Sequence, residues 1–184
     1  ILGVINISNG HDDAVSETTE TVVVTLNSIT SGTASIHGTN KVQTVSITDN
    51  DLVLFTWLGT TGDGKWSTAG NWAGGNVPGV SDSPQFDNSC GANCNVTVDV
   101  AFSVNNLNMI STYTGTITNT NLYGEVNGSL SIAGGTLTLG SSTLDIYGGF
   151  TQTGGVINAN TSELWTGSNV TLTGGTFNAV TGTF

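Results

Sequence analysis

Residues 133–184 repeat at a fixed period of twenty. One copy, AGGTLTLGSSTLDIYGGFTQ, begins at Ala133; the next, TGGVINANTSELWTGSNVTL, begins at Thr153; a third, TGGTFNAVTGTF, begins at Thr173. Aligned without gaps, Gly134, Gly154 and Gly174 share a column, and Gly135, Gly155 and Gly175 share the next. Leu137, Ile157 and Phe177 form an apolar column, as do Leu144, Leu164 and Phe184, and Phe150 stands over Val170. A weaker copy precedes these by twenty, with Gly115, Ile117, Val126, Leu130 and Ile132 in register, and Ile110 extends the Leu130–Phe150–Val170 column backwards.

A period of this size signals a solenoid or an array. No single copy buries its own apolar side, so neighbours must stack. Within a copy the apolar residues alternate, as in Leu137-x-Leu139, Leu144-x-Ile146 and Val170-x-Leu172, which is the period of a strand. Glycine pairs and Asn, Ser and Thr punctuate the strands where the chain must turn. Short strands joined by sharp corners every twenty residues or so describe one coil of a right-handed parallel β-helix. An antiparallel array of hairpins is the rival, and it fits less well because the columns recur once per copy instead of in mirror order. The inward set is Leu137, Leu139, Leu144, Ile146, Phe150, Ile157, Leu164, Val170 and Leu172.

Composition agrees with an all-β chain. Helix formers are scarce, whereas Thr, Asn, Ser and Gly dominate. The 184 residues carry a net charge of -11, with Lys41 and Lys65 the only bases apart from two histidines. Almost nothing is present to neutralise phosphates, which argues against nucleic acid and against an anionic bilayer. No apolar run is long enough to span a membrane, so no membrane insertion is expected. Ile1 starts inside a strand-like run and Phe184 stops inside a repeat, so both ends read as cut from a longer protein. Cys90 and Cys94, in CGANC, read as a small disulfide-closed loop of an exported protein; a half metal site is the alternative, but no second pair or nearby His supports it.

Residues 1–53 read as strands with two acidic turns. Asp12, Asp13, Glu17 and Glu20 precede ETVVVTLNSI, and Asp49 and Asp51 follow KVQTVSI, so six of the thirteen acidic residues fall in these two places. Brought together they repel unless a cation lies between them, and hard oxygen donors in loops suit calcium. The stretch HDDAVSETTETVVVTLNSITSGTASIHGTNKVQTVSITDND resembles the C-terminal half of a Calx-β domain, an immunoglobulin-like β-sandwich of sodium–calcium exchangers and large bacterial surface proteins. The shared pattern is an acidic turn with E-x-x-E, a strand ending in V-x-L, a small glycine-containing loop, and a closing V-x-I-x-D-N-D. The resemblance implies that Asp12, Asp13, Glu17, Asp49 and Asp51 lie where calcium-binding members place ligands, with Glu20 as the second glutamate of the motif. It also implies that the first strands of the sandwich are missing, to be supplied by another copy of the chain or by neighbouring domains.

Residues 54–90 hold Trp57, Trp66 and Trp72 among glycines and both prolines, Pro78 and Pro84. The pattern W-x-G…G-x-W-S-x-x-x-N-W…P…D-x-x-x-F resembles a motif that opens β-helical regions in bacterial autotransporter-like surface proteins. There it caps the first coil, which otherwise presents an open edge. The competing reading is an aromatic platform for sugars, using Trp57, Trp66, Trp72 or Trp165. Asp63, Asp82 and Asp87 show no spacing that demands a cation, and Asp63 in TGDGK reads as a turn residue.

The repeats, residues 91–184, contain no Lys, Arg or His, which argues against cleavage of acidic polysaccharides. Glu125, Asp145 and Glu163 are the carboxylates there beyond Asp99, and they read as solvated charges on a polar face. The expectation is therefore an all-β, non-enzymatic segment of a large bacterial extracellular or cell-surface protein, an adhesin stalk or filament subunit. It comprises a partial immunoglobulin-like (Calx-β) sandwich over 1–53, a Trp/Gly-rich cap and linker over 54–90 and a parallel β-helix over 91–184. Its expected cofactor is Ca2+, and its expected partners are further copies of itself, neighbouring domains and possible surface glycans. A carbohydrate-binding module using the tryptophans is the alternative.

Overall fold

A computed structural model describes residues 54–179 without a break and, before them, residues 20–25, 28, 32–33 and 42–47. The chain divides into two units, residues 1–52 and 53–184. In the first, β1 (Glu20–Thr25) pairs antiparallel with β2 (Val42–Ile47), from Glu20 opposite Ile47 to Thr25 opposite Val42. Strand alternation puts Val23, Thr25, Val42, Thr44 and Ser46 on one face of this ladder, and all five are exposed. The immunoglobulin-like sandwich is not seen among the described residues.

The second unit is a parallel β-solenoid. It opens with β3 (Leu54–Thr56) and β4 (Ser83–Phe86). The first coil carries β5 (Val96–Thr97), β6 (Phe102–Val104) and β7 (Leu107–Met109); the second carries β8 (Thr116–Asn119), β9 (Gly124–Val126) and β10 (Leu130–Ile132). The third carries β11 (Thr136–Leu139), β12 (Thr143–Ile146) and β13 (Phe150–Gln152); the fourth carries β14 (Val156–Asn160), β15 (Glu163–Thr166) and β16 (Val170–Leu172). A fifth begins with β17 (Thr176–Ala179). Three sheets run along the stack, in the orders β17-β14-β11-β8-β5, β15-β12-β9-β6 and β16-β13-β10-β7-β4-β3. Every strand pair in them is parallel, which rules out the array of hairpins.

The twenty-residue columns are the observed register from the second coil onward. Ile117, Leu137, Ile157 and Phe177 follow one another, as do Leu130, Phe150 and Val170. The backward extension to Ile110 does not hold. Leu130 pairs with Leu107, twenty-three positions earlier, because the corner after β7 holds three extra residues. Tyr113 N–H bonds Ile110 O at 3.0 Å within that corner, which takes Ile110 out of the column. Phe184 lies outside the described residues. Of the expected inward set, Val170 and Leu172 are exposed, since β16 is the outermost strand of its sheet and no described coil covers it.

The paired glycines have two different causes. Gly135, Gly155 and Gly175 have φ of +66°, +62° and +81°, the left-handed region where a side chain is strained. Gly134 and Gly154 are needed for close approach instead: a Cβ would lie 2.6 Å from Ile110 O in the first case and 2.3 Å from Ala133 O in the second.

The open end of the core is closed by rings. Trp66 stacks on Phe102 of the first coil at 4.9 Å, and Trp72 meets Trp66 and Trp57 edge-on at 4.8 and 5.0 Å. Phe86 joins this cluster to Tyr113, 5.4 Å between centroids. Trp57 Nε1 donates to Asn93 O at 3.1 Å and Trp72 Nε1 to Trp66 O at 2.8 Å, so two of the indoles satisfy their polar atom while burying the ring.

Candidate functional site

The loop that carries the tryptophans is braced by an exposed carboxylate. Asp63 accepts from Thr68 Oγ1 at 2.7 Å, Lys65 N–H at 3.1 Å and Asn71 Nδ2 at 2.7 Å. Those donors hold its carboxyl well below the usual carboxylate range, Thr68 first and then Lys65 N–H. Asn71 is fully buried and also donates to Lys65 O and accepts from Thr61 N–H, so its amide is satisfied on both sides. Asp82 and Asp87 serve their own turns, accepting from Gly79 N–H and Ser89 N–H at 2.7 Å each. These acids organise backbone and do not converge on a shared point.

Trp57, Trp66 and Trp72 are 0, 0 and 2% exposed. An aromatic platform built on them is therefore ruled out: their faces are occupied by one another, Phe86 and Phe102. Trp165 differs, at 64% exposed. Cys90 and Cys94 are joined by a disulfide with Cα atoms 4.8 Å apart. Next to it, Tyr113 Oη donates to Cys94 O at 2.6 Å, and burial pushes the Tyr113 phenol above its ordinary range. The expected calcium ligands Asp12, Asp13, Glu17, Asp49 and Asp51 lie outside the described residues, and Glu20 is the first residue of β1. Among the described residues no three His, Cys, Asp or Glu side chains are grouped to hold a metal.

The chemistry-bearing surface of the solenoid is the outer face of the β6-β9-β12-β15 sheet. Alternation turns Phe102, Leu144, Leu164, Val104, Val126 and Ile146 inward, which leaves Ser103, Glu125, Asp145 and Trp165 as one outward column in direct register. Glu163 stands one column over, paired with Thr143. Tyr123 and Tyr147 flank the outward column and are 44 and 58% exposed. Tyr123 Oη donates to Asp145 Oδ2 at 2.7 Å, and Ser103 Oγ to Glu125 Oε1 at 3.3 Å. The hydrogen bond to Asp145, aided by desolvation and the neighbouring charge, raises the Tyr123 phenol well above its ordinary range.

A cleft of about 220 Å³ opens on this face, lined by Asp145, Ile146, Tyr147, Trp165, Thr166 and Gly167. The sequence alone reads Asp145 as a solvated charge and Trp165 as one option for an aromatic platform, and gives Tyr123 and Tyr147 no role. The signal was available: both follow an inward–outward alternation that puts them outside, where other sheets of the stack carry Thr and Asn. No family model matches this chain, and neither does any curated protein or solved structure.

Proposed function

We propose that the chain is a non-enzymatic stalk or filament segment of a large bacterial extracellular or cell-surface protein. The observation that carries this reading is the in-register core of the second unit. Each coil presents the same strand edges and apolar columns to the next, so coils add along one axis and each is stabilised by its neighbours. The winding of the solenoid is proposed to be right-handed, on the general handedness of parallel crossovers. The outward columns of the β5-β8-β11-β14-β17 sheet are largely Thr and Asn, a solvated and chemically quiet surface that suits a spacer. Single-molecule extension tests it: a spacer of this design yields in successive coil-sized steps, and a single all-or-none release of the whole second unit would count against it.

The first unit is proposed to be the C-terminal part of a Calx-β-like sandwich with a calcium-stabilised junction, its missing strands supplied by another copy or a neighbouring domain. The β1–β2 register supports this, because Glu20 opposite Ile47 puts the start of β1 beside the end of β2. Asp12, Asp13 and Glu17 precede one of those ends in sequence, and Asp49 and Asp51 follow the other. Calcium titration of the whole chain is expected to raise its melting temperature, and Asp49→Ala with Asp51→Ala is expected to abolish the rise. An unchanged melt in excess calcium would remove the calcium junction, and a monomer at all concentrations in sedimentation would remove completion by a second copy.

A further inference from the structure

We propose that the cleft between Trp165 and Tyr147 binds a small organic ammonium cation, of the quaternary trimethylammonium type. Three exposed aromatic rings, Tyr123, Tyr147 and Trp165, gather on one strip of one sheet, while the corresponding outward positions of the β5-β8-β11-β14-β17 sheet are mostly Thr and Asn. Single exposed apolar residues need no explanation, but two exposed rings, Tyr147 and Trp165, lining one cleft are a recognition feature. Its outward direction is set by strand alternation and not by the rank of the coil in the stack.

The register shows how the walls are kept apart. Trp165 pairs with Asp145, and Tyr147 lies two positions beyond Asp145 on the same chain. Trp165 and Tyr147 are thus diagonal neighbours, roughly 7–8 Å between backbones, which leaves room between two rings. The position next to Tyr147 on the following coil is Gly167, where a Cβ would lie 2.4 Å from Tyr147 O, so the ledge between the walls stays bare. At about 220 Å³ the cleft is smaller than the ~300–1,000 Å³ usual for drug-sized ligands and suits a head group.

Charge decides which head group. Asp145 lines the cleft, and Tyr123 fixes its carboxylate through Oδ2. Asp145 Oδ1 has no hydrogen-bond partner among the described residues, and Glu125 lies one coil away in the same column. No Lys, Arg or His occurs anywhere after Lys65. The charges among the described residues of this sheet, Glu125, Asp145 and Glu163, are all negative, an arrangement that repels phosphate and carboxylate ligands and draws cations. Indole and phenol faces attract the diffuse positive charge of an alkylammonium group more than they attract a neutral ring. This inference rests on the cleft itself and stands or falls separately from the stalk reading.

The test uses the whole chain and follows the indole N–H and tyrosine ring signals by NMR. Tetramethylammonium and choline are expected to shift the Trp165 and Tyr147 signals saturably and to leave the buried Trp57, Trp66 and Trp72 signals in place. The neutral isostere 3,3-dimethylbutan-1-ol is expected to bind at least about tenfold more weakly, since it has the shape without the charge. Trp165→Ala and Asp145→Asn are each expected to weaken choline by about tenfold or more, and added salt to weaken it further. Tyr147→Ala removes the other wall and keeps the experiment available should Trp165→Ala disturb the fourth coil. Equal binding of the isostere, no saturable shift with either cation, or a neutral oligosaccharide moving the same signals while choline does not would each overturn the proposal.

Discussion

Phe102 and Gly124 are register partners on adjacent coils, and a Cβ on Gly124 would lie 2.6 Å from Cζ of the Phe102 ring and 3.0 Å from a δ-carbon of Leu144. The column Phe102–Gly124–Leu144–Leu164 therefore alternates a very large residue with none at all, and the ring fills the space that the glycine gives up. Gly124→Ala is expected to cost about 1–3 kcal/mol through overpacking. Adding Phe102→Leu should recover part of that loss, because the two changes act on one space. Urea melts measure it as a midpoint shift at constant slope. Strict additivity of the two changes would show that the ring and the glycine are independent.

Asp63 sets an acid limit on the tryptophan loop. Its folded-state pKa is depressed by donors from Thr68, Lys65, Asn71 and Thr61, so its contribution is present above the unfolded value of about 3.9 and is lost as pH falls below it. Asp63→Asn is expected to lower stability at neutral pH and to converge on the parent protein as the solution is acidified below about pH 4. Comparing the two melting temperatures from neutral to strongly acidic buffer reads this directly. A gap that stays constant through the acid range would mean that the charge on Asp63 does not act.

Tyr113 gives the opposite sign at the alkaline end. Burial raises its phenol above the unfolded value of about 10, so its contribution is whole below that pH and is lost as pH rises beyond it. Its hydroxyl is also the partner of Cys94 O, and Tyr113→Phe strands that buried carbonyl at a cost of about 1–3 kcal/mol near neutrality. The parent protein should lose stability above about pH 10 more steeply than Tyr113→Phe does. Equal alkaline slopes for the two proteins would contradict this.

The solenoid was legible in the sequence because its columns repeat at one spacing, and Leu137, Ile157 and Phe177 announce each coil unaided. The first coil was not legible at that spacing, since the corner holding Tyr113 lengthens the step from Leu107 to Leu130 to twenty-three residues and leaves Ile110 in the expected place by coincidence. Polar residues inside the apolar columns were also opaque. Asn119 stands below Leu139 and uses its amide to bond both N–H and C=O of Leu122; Gln152 stands above Ile132 and donates to Thr176 O at 3.1 Å. Each replaces an aliphatic side chain where a corner exposes backbone groups that need a partner. The tryptophans were ambiguous for a different reason. A ring with one polar atom serves a buried cap and an exposed platform equally well. Only the contacts separate Trp57, Trp66 and Trp72 from Trp165.

Stability that accumulates along a stack has a consequence for a single defect in it. Phe150 is fully buried in β13, with Leu130 below and Val170 above. Phe150→Asp removes a ring worth about 3–5 kcal/mol and leaves a carboxylate in the core with no counter-charge. A coil whose neighbour fails loses the surface it packs on, so the damage should travel. Amide exchange is expected to accelerate across β10, β13 and β16 together and in the third and fourth coils generally, while the ring cluster of Trp66, Trp72 and Phe86 keeps its protection. Thr151→Asp places the same charge one residue away on the outward side of the same strand and should change stability by less than about 0.5 kcal/mol. Exchange that speeds up only within β13, or two variants that melt alike, would show that the coils do not depend on one another.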